Sequence, residues 1–409
     1  MSMDKKTTYL TNLDAFVTVD DATNEGIDIK EVTLTESLLT PGLQTSIIVQ
    51  SQFNTPYLKN LNNFYGKDVY IEAERPIIRM FSKEQLKHKF KTNQIIYRLS
   101  NRRRLNNAVE EFQLDACDIT LLRDAKSYFS KSWSCVPPSE VVKDVMNECL
   151  KPLKMEIEDA QPNRDYIAEN LHPFQIITQQ ANMGLSIQND PSFMHYMTYQ
   201  DFDGNDIPTH NFKSLSTLGR QSPFMEFVYS GKVSIDINYA SPFDILDYSF
   251  PCDFDLLSDI LNGYDEEGNE RSGLIVFNKL TGAISIYGEL EDCGATDQSA
   301  ATNIGSEDLQ NSCNVPVDKY LRKRPARMAL IEQDKITLRL TVPFSPMLNV
   351  GKVIRVKIPN VGTAFNGGTA DDNYGSGEYL IVNMTHNIKL GGMGVTIMDC
   401  VAQSIAAGS

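Results

Sequence analysis

A segment near the front of the chain is echoed near its end. Gly66-Lys67-Asp68-Val69-Tyr70-Ile71-Glu72 has its counterpart in Gly351-Lys352-Val353-Ile354-Arg355-Val356-Lys357. Each is followed by a second alternating run, Gln94–Leu99 and Glu378–Asn383. Each block then closes on a strand ending in cysteine, Phe112–Cys117 and Val395–Cys400. From glycine to cysteine the span is 51 positions in the first block and 49 in the second. Alternation of apolar and polar residues is the period of a half-buried strand. The same strand order at nearly the same spacing predicts one small β-domain used twice. A pattern this loose also fits two unrelated antiparallel sheets of similar size.

The rest of the chain divides around these blocks. Residues 10–122 read as strands separated by turns such as Pro41-Gly42, as in a sandwich or barrel. From 123 to 215 the period changes. Ser139–Leu150 places Val141, Val142, Val145, Met146, Cys149 and Leu150 on one helical stripe, behind Pro137 and Pro138. A second helix is expected from Pro173 to Asn182, ended by Gly184. A strand Leu185–Gln188 and another around His195–Tyr199 follow it, the latter leading into the turn Asp201–Asp206. Strands return between 224 and 290, at Phe227–Tyr229, Val233–Ile237, Leu274–Phe277 and Ile284–Tyr287, with a turn at 265–269. Residues 291–316 are rich in Ser, Thr, Asn and Asp and read as a long loop or linker. A second polar loop, at 361–377, lies inside the second copy. The fold class is therefore α+β and mainly β.

Composition narrows the functions open to such a chain. Its 409 residues leave room for roughly two to four domains. With 41% apolar and 22% charged residues it can bury proper cores. A net charge of −15 argues against a general nucleic-acid binder, which needs an excess of Lys and Arg. The N-terminus shows no apolar signal region, and no apolar run approaches the ~18 residues of a membrane span. The seven cysteines, Cys117, Cys135, Cys149, Cys252, Cys293, Cys313 and Cys400, are irregularly spaced and contain no Cys-x-x-Cys pair. They read as reduced, mostly buried thiols of a cytoplasmic setting.

Candidate chemistry is sparse. Asp201, Asp203 and Asn205 alternate as in a calcium loop, but Asp206 stands where glycine is needed and Phe212 where a bidentate glutamate is needed. A hairpin turn explains the same residues. His88, His172, His195, His210 and His386 form no ligand-spaced pair, and are expected to be hydrogen-bonded structural groups. No nucleophile elbow, phosphate loop or dinucleotide fingerprint occurs, and no carboxylate pair stands out as acid and base. No catalytic, cofactor-binding or metal-binding residue is assigned, and the chain is not expected to be an enzyme. Two basic clusters break the acidic background. One holds Lys83, Lys87, Lys89, Lys91, Arg98, Arg102, Arg103 and Arg104; the other holds Arg322, Lys323, Arg324 and Arg327. They are solvated hairpin tips, or docking points for acidic neighbours.

The order of these parts resembles that of the baseplate central hub proteins of contractile-tailed bacteriophages, related to the hub part of secretion-system spike proteins. The resemblance lies in Gly377-Glu378-Tyr379-Leu380-Ile381-Val382-Asn383-Met384-Thr385-His386 and in Leu348-Asn349-Val350-Gly351-Lys352-Val353-Ile354. It extends to the helix before Gly184 with its following turn, and to Glu36–Leu39 with Thr45–Val49. It covers nearly the whole chain in order. It implies a tube-like β-barrel over 1–122, an inserted α/β domain over 123–215, a β-rich region with a polar linker over 216–316, and a second tube-like barrel over 317–409. It further implies a homotrimer whose six barrels adapt a sixfold tail tube to a threefold central spike. The implied partners are the spike protein, the tail tube protein and surrounding baseplate proteins. DNA would pass through an axial channel without specific binding, in a virion tail assembled in the host cytoplasm, with no membrane partner. Two other readings stand beside it: a multi-domain β-type carbohydrate or receptor-binding module, and a tail-associated cell-wall hydrolase. The lone Trp133 weakens the first of these, since such modules cluster exposed aromatics.

Overall fold

A computed structural model describes residues 14–19, 27–52, 64, 66–78, 85–229, 243–251, 274–277, 284–287, 313–315, 317–321, 323–332, 336–359, 372, 375–389 and 393–402. The expected strand Val233–Ile237, the turn at 265–269, nearly all of the linker 291–316 and most of the loop 361–377 lie outside the described residues.

The first β-region contains β1 (Asp14–Val19), β2 (Ile27–Ser37), β3 (Gln44–Gln52), β4 (Asp68–Ile78), β5 (Gln85–Arg104) and β6 (Val109–Cys117). They lie side by side in the order β1-β4-β5-β6-β3-β2, every neighbour antiparallel. Alternation does what the sequence implied: Val32 and Leu34, Ile47 and Val49, Val69 and Ile71, Phe112 and Leu114 all turn inward and bury completely or nearly so. Burying each such side chain contributes roughly 1.5–3 kcal/mol before the cost of ordering it.

The inserted region runs through α1 (Ile119–Lys126), β7 (Phe129–Val136), α2 (Pro138–Val145), β8 (Lys154–Ile157), β9 (Arg164–Leu171), α3 (Pro173–Met183), β10 (Phe193–Thr198), β11 (Thr209–Ser214) and α4 (Leu215–Gly219). Proline at the first turn starts both α2 and α3, where a missing N–H costs nothing. The predicted stripe of α2 buries Val141, Val142, Val145, Met146 and Leu150. Its last turn, Met146–Leu150, widens to a π-turn that ends at a left-handed Lys151. There Arg123 donates to the carbonyls of Leu150 and Lys151, satisfying orphan acceptors of the helix end. The strand expected at Leu185–Gln188 does not form. Leu185 makes a single bridge to Gln161, and Ser186 Oγ then accepts from the backbone N–H of Gln188 and Asp190, turning the chain.

The second β-region takes β12 (Met225–Val228) and β13 (Asp247–Ser249). A hairpin, β14 (Leu274–Phe277) with β15 (Ile284–Tyr287), and two short helices, α5 (Asp318–Leu321) and α6 (Arg324–Ala329), come next in the chain. It ends with β16 (Leu338–Pro343), β17 (Val353–Lys357), β18 (Gly377–Lys389) and β19 (Met393–Ala402). The spatial order is β12-β17-β18-β19-β16-β13. Leaving out the β14–β15 hairpin, this is the order of the first region strand for strand. One departure is direction: β1 runs antiparallel to β4, whereas β12 runs parallel to β17. Val228 N–H donates to Phe243 O and Ile245 N–H donates to Val228 O, which also ties β12 to the chain just before β13.

The echo in sequence is an echo in hydrogen bonding. Gly66 and Gly351 both take positive φ, +71° and +82°, which glycine adopts without steric cost. Gly66 N–H donates to Ile96 O, and Ile96 N–H to Lys67 O; Gly351 N–H donates to Ile381 O, and Ile381 N–H to Lys352 O. The register then slips between Ile96 and Arg98 in one copy and between Ile381 and Asn383 in the other. The two cysteines of the echo are one residue out of step: Cys400 faces Ile381, but Ala116 faces Ile96 and Cys117 faces Ile95. After its bulge β18 leaves β17 and pairs with β2, Asn383 opposite Ser37 through Lys389 opposite Glu31. The two regions thereby share one continuous sheet, and the fold is α+β, mainly β.

Candidate functional site

β10 is where the three regions meet. All six of its residues are buried, and they serve three cores. Met194 and Tyr196 pack with the second β-region, Met197 and the following Tyr199 with the first, and Phe193 stacks on Phe212 inside the inserted region. A strand buried on both faces of a sheet reads as continuous rather than alternating, which is why the sequence marked only a strand around His195–Tyr199 and not its exact limits, Phe193–Thr198.

Beside β10 a buried carboxylate ties the same three regions together. Glu36, on β2, accepts from the backbone N–H of Tyr199 at 2.7 Å and of Val350 at 3.0 Å. Burial drives its pKa up to about 7, against the opposing pull of those two bonds and the Lys352 charge. Lys352 is itself 1% exposed, donates to Met347 O at 2.8 Å and stands 4.0 Å from the Phe224 ring centre. Desolvation lowers its pKa to about 8. Asn349 completes the loop by donating to the carbonyls of Gln200 and Asp201. The arrangement is a lock between chain segments far apart in sequence. Its donors and acceptors are consumed by backbone groups, and that suits positioning rather than turnover.

Four of the five histidines behave likewise; the side chain of His88 lies outside the described residues. His195 and His210 lie 2.9 Å apart, Nε2 to Nδ1, a contact made by the β10–β11 register that linear spacing does not show. Thr120 Oγ1 donates to Asp118 Oδ1 at 2.5 Å, so it accepts from His210 Nε2–H. His210 Nδ1 is then an acceptor for His195 Nε2–H, and His195 Nδ1 is left as a lone pair without a partner among the described residues. Both rings are neutral, because burial lowers the pKa of His210 to about 3 and that of His195 well below its ordinary value. Thr120 is spent on capping α1, where Asp118 also accepts from its backbone N–H. His172 caps α3 and bonds the carbonyls of Asp124 and Ser127, and His386 bonds Thr396 Oγ1 at 2.8 Å.

The turn at Asp201–Asp206 joins β10 to β11. Burial opposes the charge on Asp201, but bonds from Asn205 and Lys154 bring its pKa down to about 2. Its carboxylate closes the turn. Among the described residues, no group of three or more His, Cys, Asp or Glu side chains could hold a metal ion, and no helix is long and apolar enough to cross a membrane.

The side chains of Lys83, Lys87, Lys89 and Arg322 lie outside the described residues, and the described members of the basic clusters resolve into two different things. Arg98, Arg102 and Arg103 pair across the β5–β6 hairpin with Asp115, Glu110 and Glu111. The second cluster is a clasp. Arg324 donates to Asn182 Oδ1 and to the carbonyls of Pro191 and Phe193, and burial lowers its pKa to about 10. Arg327 pairs with Asp190, joining α6 to the inserted region. Trp133 is 8% exposed and donates to Asp144, so it offers no open sugar platform. A cleft of about 520 Å³ separates the first β-region from the inserted one, lined among others by Asp68, Lys91, Asn93, Arg123 and Leu153.

No family model matches the chain, and no curated protein matches it. Solved structures do. A 43 kDa tail protein of prophage MuSo2 from Shewanella oneidensis aligns with a TM-score of 0.53 at 8% identity, covering 96% of this chain and 99% of that one. A tail protein from Neisseria meningitidis MC58 aligns with a TM-score of 0.51 at 11% identity, covering 96% and 98%. A type VI secretion system component from E. coli, described as structurally similar to phage T4 tail proteins, gives 0.47 at 9% identity, covering 96% and 78%. The chain has the fold of the two phage tail proteins along nearly its whole length, in agreement with the resemblance to baseplate hubs read from its strand order.

Proposed function

We propose that this chain is a structural hub of a contractile phage tail baseplate, a trimer that adapts a sixfold tail tube to a threefold central spike. The observation that carries the reading is the reuse of one six-strand order within a single chain, together with the shared fold of phage tail proteins. Three copies of a chain holding two like units present six like units around an axis. Such a ring meets a hexameric tube on one side and a trimeric spike on the other. The units are two tube-like barrels. The first spans 1–122. The second combines 317–409 with β12 and β13 from the region 216–316, and 123–215 is the insertion between them.

The role is geometric, not enzymatic. The buried groups at the three-way junction hold the units at a fixed angle, so the ring keeps a constant bore. DNA passes through that bore without specific contacts, and the net charge of −15 disfavours its adhesion. Partners are the tube protein, the spike protein and neighbouring baseplate proteins, in a virion tail assembled in the host cytoplasm.

Light scattering on the purified chain tests the assembly. The expected mass is three times 45.9 kDa, alone or on addition of the spike and tube proteins of its own phage. A chain that stays monomeric in that mixture would overturn the reading.

A further inference from the structure

Two exposed thiols meet on the inserted region, and the proposed hub role makes no use of them. The β7–β9 ladder slips between the pair Trp133–Tyr166 and the pair Val136–Arg164, so Ser134 and Cys135 bulge out, with Cys135 at φ +52°. Asp165 receives this bulge, accepting from Cys135 N–H at 2.9 Å and from Ser134 Oγ at 3.0 Å. The same carboxylate receives the strap that leads to the second β-region. Asn314 Nδ2 donates to it at 2.8 Å, and Cys313 Sγ lies 4.0 Å from it. Cys313 also bridges Asn163, and Asn314 exchanges bonds with Asn163 O and Asp165 N–H. Beyond this point Val315 and Val317 pack on Leu185. The backbone N–H of Cys135 and the thiol of Cys313 thus meet at one carboxylate oxygen, Asp165 Oδ1, which brings the two residues side by side.

We propose that Cys135 and Cys313 form a reversible disulfide that clamps the inserted region to the strap entering the second β-region. The oxidant is a low-molecular-weight disulfide. The thiolate of one cysteine attacks it, forming a mixed disulfide and releasing one small thiolate, which takes up a proton. The second cysteine, deprotonated in turn, attacks the protein sulfur and releases the second small thiol. The chain loses two hydrogens and the oxidant gains them. Exposure of both sulfurs gives the oxidant access. By contrast Cys117 and Cys400 are fully buried in strands.

The contact with Cys135, followed by desolvation and the Asp165 charge, pushes the Cys313 thiol up to about 11. Little Cys313 thiolate exists at neutral pH, so closure is slow there and accelerates as pH rises.

The test is intact-mass and peptide mapping after prolonged incubation with oxidised glutathione at alkaline pH, where thiolate forms, free thiols being blocked afterwards with N-ethylmaleimide under denaturing conditions. The expected result is loss of the mass of two hydrogens, two fewer blocked cysteines, and one cross-linked peptide pair joining Cys135 to Cys313, all reversed by dithiothreitol. Cys135→Ser and Cys313→Ser are each expected to trap glutathione on the remaining partner. Stable glutathione adducts on both cysteines of the wild-type chain, cross-links between chains, or two thiols left free would each overturn the proposal.

Discussion

The loop before β4 and the loop before β17 carry the same backbone device in different surroundings. In each, a left-handed glycine hooks onto an isoleucine of the next strand by the same pair of hydrogen bonds. A Cβ on Gly66 would meet nothing within 4 Å, whereas one on Gly351 would meet Tyr196 Oη at 2.9 Å. The lysine that follows is half-buried in the first copy and 1% exposed in the second. The inserted region explains the difference, since β10 lies across the second hook. What is shared by the two copies is backbone pairing; what differs is the side-chain environment that each copy acquired from its neighbours. One hook is open and the other is locked.

The strongest way to break the comparison is to charge the two cores at equivalent positions. Ile71 and Val356 are both fully buried five residues beyond their glycines. Ile71→Asp and Val356→Asp should each cost more than about 4 kcal/mol, an unpaired charge in an apolar core being among the largest single-site penalties. Because β2 and β18 join the copies in one sheet, each variant is expected to lose cooperative unfolding of the whole chain, read by circular dichroism in denaturant. A variant that leaves the other copy melting normally would show two independent sheets.

Next come the hooks themselves. Gly66→Ala should cost about 1 kcal/mol, the strain of a Cβ at positive φ. Gly351→Ala adds the clash with Tyr196 and should cost about 3 kcal/mol. Equal costs in urea titrations would contradict the locked and open environments.

Glu36 reports on the second hook through Val350. Its folded pKa of about 7 lies above the unfolded value, so the folded chain keeps a proton that the unfolded chain sheds. Its contribution is full below pH ~4.5 and is lost as pH rises through about 7. Relative to Glu36→Gln, the wild-type chain should therefore lose about 2 kcal/mol between pH 5 and pH 8. A difference between the two proteins that does not vary with pH would remove the buried-carboxylate account. Lys352 has the opposite sign: its lowered pKa favours the folded chain as pH rises from about 8 toward the unfolded lysine value. The smallest effect is expected at Asp399→Asn, which removes a surface pair with Arg339 across β16 and β19. Thermal melts should barely separate it from wild type.

Much of the local structure was legible in the residues. Proline starts and apolar stripes placed α2 and α3 to within a residue or two, apart from the π-turn that ends the first. Leu274–Phe277 and Ile284–Tyr287 pair as a hairpin at the expected limits. The echo marked three strands of each copy, β4 to β6 and β17 to β19, since the glycine hook and the alternating run after it are local features; that β12 and β13 join the second copy from the expected region 216–316 was not read from it. Three things were not legible. The seam between β2 and β18 joins residues some 350 positions apart, and alternation says which face a residue takes but not which strand lies beside it. β10 serves three cores, yet in sequence Phe193–Thr198 is a short, mostly apolar run with His195 and Thr198 in it; the absence of Asp, Glu, Lys and Arg from it was the available signal. The pairs His195 with His210 and Cys135 with Cys313 arise from register and a bulge, which spacing rules for ligands and disulfides do not encode.

The most direct test of the duplicated-unit account is electron microscopy of the proposed trimer, viewed down its axis. Class averages should show six nearly equal lobes around a central hole, two from each of three chains. Three lobes, or six of plainly alternating size with only three reaching the hole, would contradict the equivalence of the two units on which the proposed adaptor function rests.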